Sequence, residues 1–163
     1  MNEFGHIIWL HEVCNDLIDD QIEYCLSEQE DDADSLKDKH TWIKSRQTND
    51  HAYFCLLVFQ LEQAIKSAFM RLCNSRGSKA IGADRIAWER VKTSKADFLT
   101  MVKFLLPDEI HLYHRAKELY RDRNKIAHEG ELSLPIQMST AQRDIIDIST
   151  RIHSALSDLE AAP

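Results

Sequence analysis

The chain has 163 residues, 44% of them hydrophobic, which suits one compact domain with a substantial apolar core. Only four glycines and three prolines occur, and few segments alternate apolar and polar residues, which argues against a sheet and for an all-α antiparallel helical bundle. The formal net charge of −7 argues against a protein that coats nucleic acid through bulk electrostatics.

The first predicted element is a helix over about residues 5–27, whose apolar residues recur at helical spacing. It belongs to a strongly acidic segment: residues 1–34 hold 11 of the 27 acidic side chains and none of the 20 Lys and Arg, a charge of −11. The rest of the chain carries 16 acids against 20 bases, or +4. The segment is either a solvated helix face followed by a charged loop at 28–32, or an electrostatic cover or docking surface for a partner.

Two predicted helices follow. A short helix covers about residues 35–45, and then Asn49 or Asp50 caps a long helix that is apolar on most faces. We interpret this apolar helix as the centre of the core. The chain is therefore divided into an acidic N-terminal helical extension, residues 1–48, and a helical bundle, residues 49–163.

Three more predicted helices complete the pattern. After a loop at residues 77–83, Asp84 caps one helix that runs nearly to Pro107. Pro107 suits the first turn of the fifth helix, which stops near Gly130 because glycine commonly ends helices. Residues 139–142 read Ser-Thr-Ala-Gln, a capping box that starts the last helix.

The chain has the marks of a cytoplasmic protein. Its four cysteines lack any C-x-x-C pairing and fall within predicted helices, which is typical of buried thiols in a reducing compartment. The opening Met-Asn-Glu-Phe lacks a basic n-region, and no apolar run could span a bilayer. His111 and His114 stand three residues apart, but no third ligand with familiar spacing follows, so we expect no metal and no cofactor.

The most informative stretch, residues 121–130, reads Arg-Asp-Arg-Asn-Lys-Ile-Ala-His-Glu-Gly. Arg123 is a permanent planar cation that suits phosphate, and His128 can exchange protons near neutral pH. On an ideal helix the two project about 140° apart, so they would converge on one phosphate only at a distorted helix end or across a two-fold dimer. Asn124 shares a helix face with His128. Alternatively, Arg123 bridges to a core carboxylate and His128 only caps the helix.

The run from Arg123 to His128 resembles the R-N-x-x-x-H signature of the HEPN superfamily (higher eukaryotes and prokaryotes nucleotide-binding). The predicted helix order over about residues 49–160 agrees with that family. One departure is the lack of a tyrosine two residues after His128, where the toxin branch paired with nucleotidyltransferases has one. The resemblance implies a homodimeric, metal-independent endoribonuclease with a composite site at the dimer interface.

The resemblance also implies a role for each site residue. His128 would act as general acid or base, Arg123 would stabilise the charged phosphorane, and Asn124 would position the phosphate. Products would carry a 2′,3′-cyclic phosphate and a 5′-hydroxyl. Glu62, a polar residue in the apolar helix, would hold Arg123. The alternative role of Glu62 is an exposed ion pair with Lys66.

The remaining expectations concern substrate and partners. Lys125 and Arg121, the other bases of the run, are assigned to binding the RNA substrate. The resemblance favours a toxin or phage-defence effector that cuts single-stranded RNA, with an antitoxin or regulatory protein as a further partner. The alternative function is a non-catalytic HEPN-like module that dimerises and binds a protein or nucleotide.

Overall fold

The computed structural model describes residues 4–27, 33–129 and 136–161. Within these ranges the chain is all-α and contains no strand, which confirms the predicted fold class. None of the helices in the described part of the chain is long and apolar enough to cross a membrane. In chain order the helices are α1 (Gly5–Ser27), α2 (Ala33–Lys79), α3 (Ala83–Thr93), α4 (Phe98–Leu105), α5 (Ile110–Glu129) and α6 (Met138–Ala161).

The chain divides into two compact units, whose boundaries fall within α2, α5 and α6. The first unit combines Met1–Leu57 with Arg123–Gln142, and the second combines Val58–Asp122 with Arg143–Pro163. The division predicted from the sequence, into residues 1–48 and 49–163, stays a prediction.

In the first unit, α1 and the N-terminal part of α2 form an antiparallel pair. Contacts join His11 to Asp50 and Asp19 to Arg46, so residue numbers fall along α2 as they rise along α1. The bounds of α1 match the predicted helix, but its buried residues are His11 and Asn15, and Leu17 and Tyr24 of the expected apolar face are 63% and 54% exposed. The buried hydrophobic residues of this unit are Phe4, Phe54, Leu57, Met138 and Ala141.

The core of the second unit is built on the C-terminal part of α2, whose buried residues recur every three or four positions. Helices α5 and α6 are antiparallel here, because Arg115 pairs with Asp144 while Glu109, earlier on the chain, lies 2.6 Å from Arg151. Burying each large aliphatic side chain contributes roughly 1.5–3 kcal/mol. The side chains with 0% exposure are Val58, Leu61, Ile65, Val102, Leu105, Ala116, Ile145 and Ile148.

The predicted break between a short helix at 35–45 and a capped helix from Asn49 or Asp50 is wrong. Helix α2 runs without interruption from Ala33 to Lys79. No glycine or proline occurs within α2 before Gly77, and the side chains of Asn49 and Asp50 bond to α1 instead of capping a helix.

The predicted end of this long helix at Gly77 is also early by two residues. Gly77 is buried within α2, and a Cβ built on it would lie 3.6 Å from the Cβ of Trp88. The glycine therefore allows α3 to approach α2 closely, in addition to lying near the helix end.

The single helix predicted from Asp84 toward Pro107 is wrong, since the structure forms α3 and α4. Ser94 ends α3 by donating its N–H to the carbonyls of Arg90 and Val91, and Asp97 starts α4 by accepting from the Thr100 N–H at 2.8 Å. Asp84 is not the cap, because α3 begins at Ala83 after Gly82, whose φ is +60°.

Two further helix starts differ from prediction. Pro107 lies in a turn and α5 begins only at Ile110, after the Glu109 N–H bonds to the Leu106 carbonyl at 3.3 Å. Helix α6 begins at Met138, so Ser139 stands inside the helix and the predicted capping box at 139–142 is wrong. The expected glycine stop at residue 130 and the acidic loop at 28–32 lie outside the described residues.

Candidate functional site

The last two turns of α5, in the first unit, carry the main candidate residues. Arg123, Asn124, Lys125 and His128 all lie on α5, which remains helical through Glu129. The segment forms a helix readily, because no glycine or proline occurs from Ile110 to Glu129. The sequence therefore fixes the spacing of these side chains along one regular helix.

Arg123 and Asn124 are half-buried and bonded to each other. The Arg123 Nη1 donates to the Asn124 Oδ1 at 2.8 Å. Because a guanidinium has only donors, Asn124 must present its oxygen to Arg123, and its NH₂ group is directed away from the guanidinium. The pair thus offers two kinds of N–H donor, one cationic and one neutral, which is a donor set that suits a phosphate.

Cys55 on α2 lies close enough to Arg123 in the first unit to feel the charge of the guanidinium. Burial raises the pKa of the Cys55 thiol, and the positive charge of Arg123 only partly opposes that rise. The thiol is therefore neutral at physiological pH and does not cancel the arginine charge.

His128 is exposed and projects in a different direction from Arg123. Five residues at about 100° each place the two side chains about 140° apart on the helix. Either a distorted helix end or a two-fold dimer could bring both side chains to one phosphate. The end of α5 is not distorted at His128, since the helix continues to Glu129. Asn124 lies one turn before His128, on the same helix face.

The other predicted site residues belong to the second unit. Glu62 is half-buried on α2, and its proposed role of holding Arg123, like the alternative ion pair with Lys66, stays a prediction. Arg121 is exposed and its Nε donates to Asp122 at 3.2 Å. An exposed ion pair of this kind is worth at most about 1 kcal/mol, so it would not hold Arg121 away from an RNA phosphate.

A buried polar cluster that joins α1 to α2 was missed by the sequence analysis. The Asp50 Oδ1 lies 2.7 Å from the His11 Nε2 and accepts from the Asn15 Nδ2 at 3.2 Å. The Asn49 Nδ2 then donates to the Asn15 Oδ1 at 2.9 Å. His11 is 5% exposed and Asn15 6% exposed. A substrate would not reach groups so deeply buried, so the cluster serves to hold the two helices together.

A signal for this cluster is visible in the sequence. His11 and Asn15 are four residues apart, on the helix face that also carries the buried Phe4. Polar residues on a buried face require partners, and Asn49 and Asp50 supply them from α2. The cluster is extended by Tyr53, whose ring packs edge-on against His11 with centroids 5.4 Å apart.

His111 was one of the two histidines considered as metal ligands in the sequence. The Nδ1 of His111 lies 3.5 Å from the Oε2 of Glu109. No group of three or more His, Cys, Asp or Glu side chains in the described ranges is arranged to hold a metal ion.

Comparison of the chain with protein-family models, with curated proteins and with solved structures finds no match. The interpretation of the site therefore depends on the chemistry and geometry of Arg123, Asn124 and His128.

Proposed function

We propose that this protein is a metal-independent endoribonuclease of HEPN type that cuts single-stranded RNA. The observation that carries the proposal is a half-buried guanidinium bonded to an asparagine amide at 2.8 Å, with an exposed histidine one turn further along the same helix end. The match of Arg123, Asn124 and His128 to the R-N-x-x-x-H signature supports the same function.

The reaction needs only these groups, water and the RNA itself. The ribose 2′-hydroxyl loses its proton and attacks the adjacent phosphorus, while the bond from phosphorus to the 5′-oxygen breaks and that oxygen gains a proton. His128 transfers one of these protons, and water transfers the other. Arg123 stabilises the added charge on the phosphorane, and the Asn124 NH₂ positions a phosphate oxygen. The products are a 2′,3′-cyclic phosphate and a 5′-hydroxyl, and DNA is inert because it lacks the attacking group.

The site is completed by a second copy of the chain. Since Arg123 and His128 diverge by about 140° on a regular helix, one subunit cannot direct both to one phosphate. In a two-fold dimer, Arg123 of one subunit meets His128 of the other, and two equivalent sites result.

Mixed dimers test this arrangement. Arg123→Lys and His128→Ala homodimers are each inactive, but random reassociation makes half of the dimers mixed, and each mixed dimer has one intact site of two. We expect about one quarter of wild-type activity to return. A mixture as inactive as its components would show that Arg123 and His128 do not act across the interface.

A matched pair of histidine variants tests the function. His128→Ala should reduce RNA cleavage by about 10²–10⁴-fold, as is usual for a general acid–base residue. Both His128 and His153 are exposed, so neither substitution should lower the melting temperature appreciably. His153→Ala is the control and should cleave RNA like the wild type. Equal cleavage by both variants would exclude His128 from the chemistry.

The biological role that we propose is a cytoplasmic toxin or phage-defence effector, held in check by an antitoxin or regulatory protein. The strongly acidic residues 1–34 favour a basic protein partner for that role. Induced expression should arrest growth for the wild type but not for His128→Ala. Arrest by both would favour the alternative, a non-catalytic binding module.

A further inference from the structure

A pocket of about 550 Å³ lies in the second unit and is used by none of the groups of the proposed reaction. Its volume is within the usual range for small-ligand sites, about 300–1,000 Å³. Helix α4 and the residue before it contribute one wall and α5 the other. The lining residues are Asp97, Phe98, Leu99, Thr100, Lys103, Tyr113 and Tyr120.

Aromatic rings form much of the α5 wall. Tyr113 and Tyr120 are seven residues apart, two helical turns, so they share one face of α5. The ring of Tyr120 stacks on the buried ring of Phe98, with centroids 5.0 Å apart and planes 18° apart. Phe98 therefore fixes the plane of Tyr120 from behind. Both tyrosines remain half-buried, so ring surface is left at the pocket.

The charges at the α4 wall favour an anion at one end of the pocket. Lys103 is exposed on α4 and contributes a mobile ammonium group. The carboxylate of Asp97 caps α4 by accepting the Thr100 N–H at 2.8 Å, where the positive end of the helix dipole offsets its charge. The pocket thus combines flat aromatic surface with one accessible cation.

We propose that this pocket binds a base of single-stranded RNA, stacked against Tyr113 and Tyr120, with Lys103 paired to a backbone phosphate. Stacking on aromatic side chains and pairing of lysine with phosphate are the two interactions by which proteins hold single strands. The inference rests on the proposed function for the identity of its ligand. It adds a substrate-binding site made of residues other than the reacting groups. Base stacking does not read the 2′-hydroxyl, so the pocket takes single-stranded DNA as well.

The test measures binding separately from cleavage. Fluorescence anisotropy of a labelled single-stranded RNA, and of DNA of the same sequence, is recorded with the full chain carrying His128→Ala to prevent cutting. Adding Tyr113→Ala should weaken binding of both strands about 5- to 100-fold, as expected for loss of one stacked base. Tyr113→Phe should retain affinity, because the ring is preserved. Tyr24→Ala, which removes an exposed tyrosine on α1, is the control and should bind like its parent.

Lys103→Ala tests the cationic end of the pocket. It should weaken binding at low salt and reduce the slope of log affinity against log salt by about one. The pocket assignment would be overturned if Tyr113→Ala left the affinity unchanged, or if Tyr24→Ala weakened binding as much as Tyr113→Ala. It would also be overturned if neither strand bound. An RNA-cleaving protein with normal Tyr113→Ala binding would refute only the pocket. A protein that binds both strands through Tyr113 but never cuts RNA would refute only the proposed function.

Discussion

Removal of the Asp50 carboxylate should destabilise the first unit more than any surface ion pair does. Asp50→Ala takes away the acceptor of both the His11 Nε2, at 2.7 Å, and the Asn15 Nδ2, at 3.2 Å. Those donors are on residues only 5% and 6% exposed, so water cannot replace the carboxylate without rearrangement. The loss leaves the Asn15 Nδ2 and the His11 Nε2, which lie 2.9 Å apart, without the carboxylate that both contact.

The magnitude follows from the number of hydrogen bonds and their burial. Each hydrogen bond to a charged group contributes about 1.5–3 kcal/mol, and the Asp50 side chain is itself 23% exposed, which lowers the total. We expect a loss of roughly 2–4 kcal/mol, which corresponds to a fall in melting temperature of about 4–16 °C for a chain of this length. Asp50→Asn should cost less, because its amide oxygen can still accept from His11.

The assay is urea unfolding followed by circular dichroism, with Asp19→Ala as the matched control. Asp19 also pairs across α1 and α2, with Arg46, but these side chains are 51% and 35% exposed. Removal of that pair should cost at most about 1 kcal/mol. If Asp50→Ala unfolded at the same urea concentration as Asp19→Ala, the polar cluster would not hold the two helices together.

Three further predictions concern separate parts of the molecule. Arg123→Lys should fold and dimerise normally but lose most RNA cleavage, because lysine lacks the bidentate fork that matches phosphate. A near-wild-type cleavage rate would show that Arg123 contributes only its positive charge. Burial raises the pKa of the Cys73 thiol above its ordinary 9.0, so its stabilising contribution is present below pH about 9 and is lost as the pH rises further. Thermal melts between about pH 7 and 10.5 should therefore show a smaller alkaline loss for Cys73→Ala than for the wild type, and parallel losses would contradict the assignment. Arg115→Ala should cost about 1–3 kcal/mol in urea unfolding, because Arg115 joins α5 to Asp144 and Asp147 of α6, whereas the exposed Arg121→Ala should cost almost nothing.

Much of the fold could be predicted from hydrophobic periodicity. The all-α class and the bounds of α1 agree with the sequence analysis. The apolar residues assigned to the central helix, such as Leu61 and Ile65, are indeed buried. These features depend on a long repeated pattern, which a single sequence displays directly.

Two of the boundaries that failed involve a polar side chain that has two ways to be satisfied. Asn49 and Asp50 have the composition of a helix cap, but partners on α1 satisfy them and α2 continues. At Asp97 the opposite occurs: the residue caps α4, and an apolar stripe that appeared continuous is divided between two helices. Whether such a residue caps a helix or bonds to another helix depends on its neighbours in space, which a single sequence does not specify.

The candidate site was predictable in its residues but not in its contacts. The spacing of Arg123 and His128 on a helix already implied their divergence, and α5 keeps that spacing. The buried thiol of Cys55 near Arg123 and the aromatic pocket between α4 and α5 depend on tertiary packing. No pattern along the chain predicts which side chains from different helices will be in contact.

The most direct test of the proposed function is to identify the ends of RNA cut in the presence of EDTA. Purified protein is incubated with a single-stranded oligonucleotide, and with a copy that has one 2′-deoxy residue at the main cleavage position. We predict continued cleavage of the RNA under chelation, 2′,3′-cyclic phosphate and 5′-hydroxyl ends, and no cut at the deoxy position. Cleavage abolished by EDTA, 5′-phosphate ends, or an unaffected cut at the deoxy position would each contradict a reaction driven by the 2′-hydroxyl with Arg123 and His128.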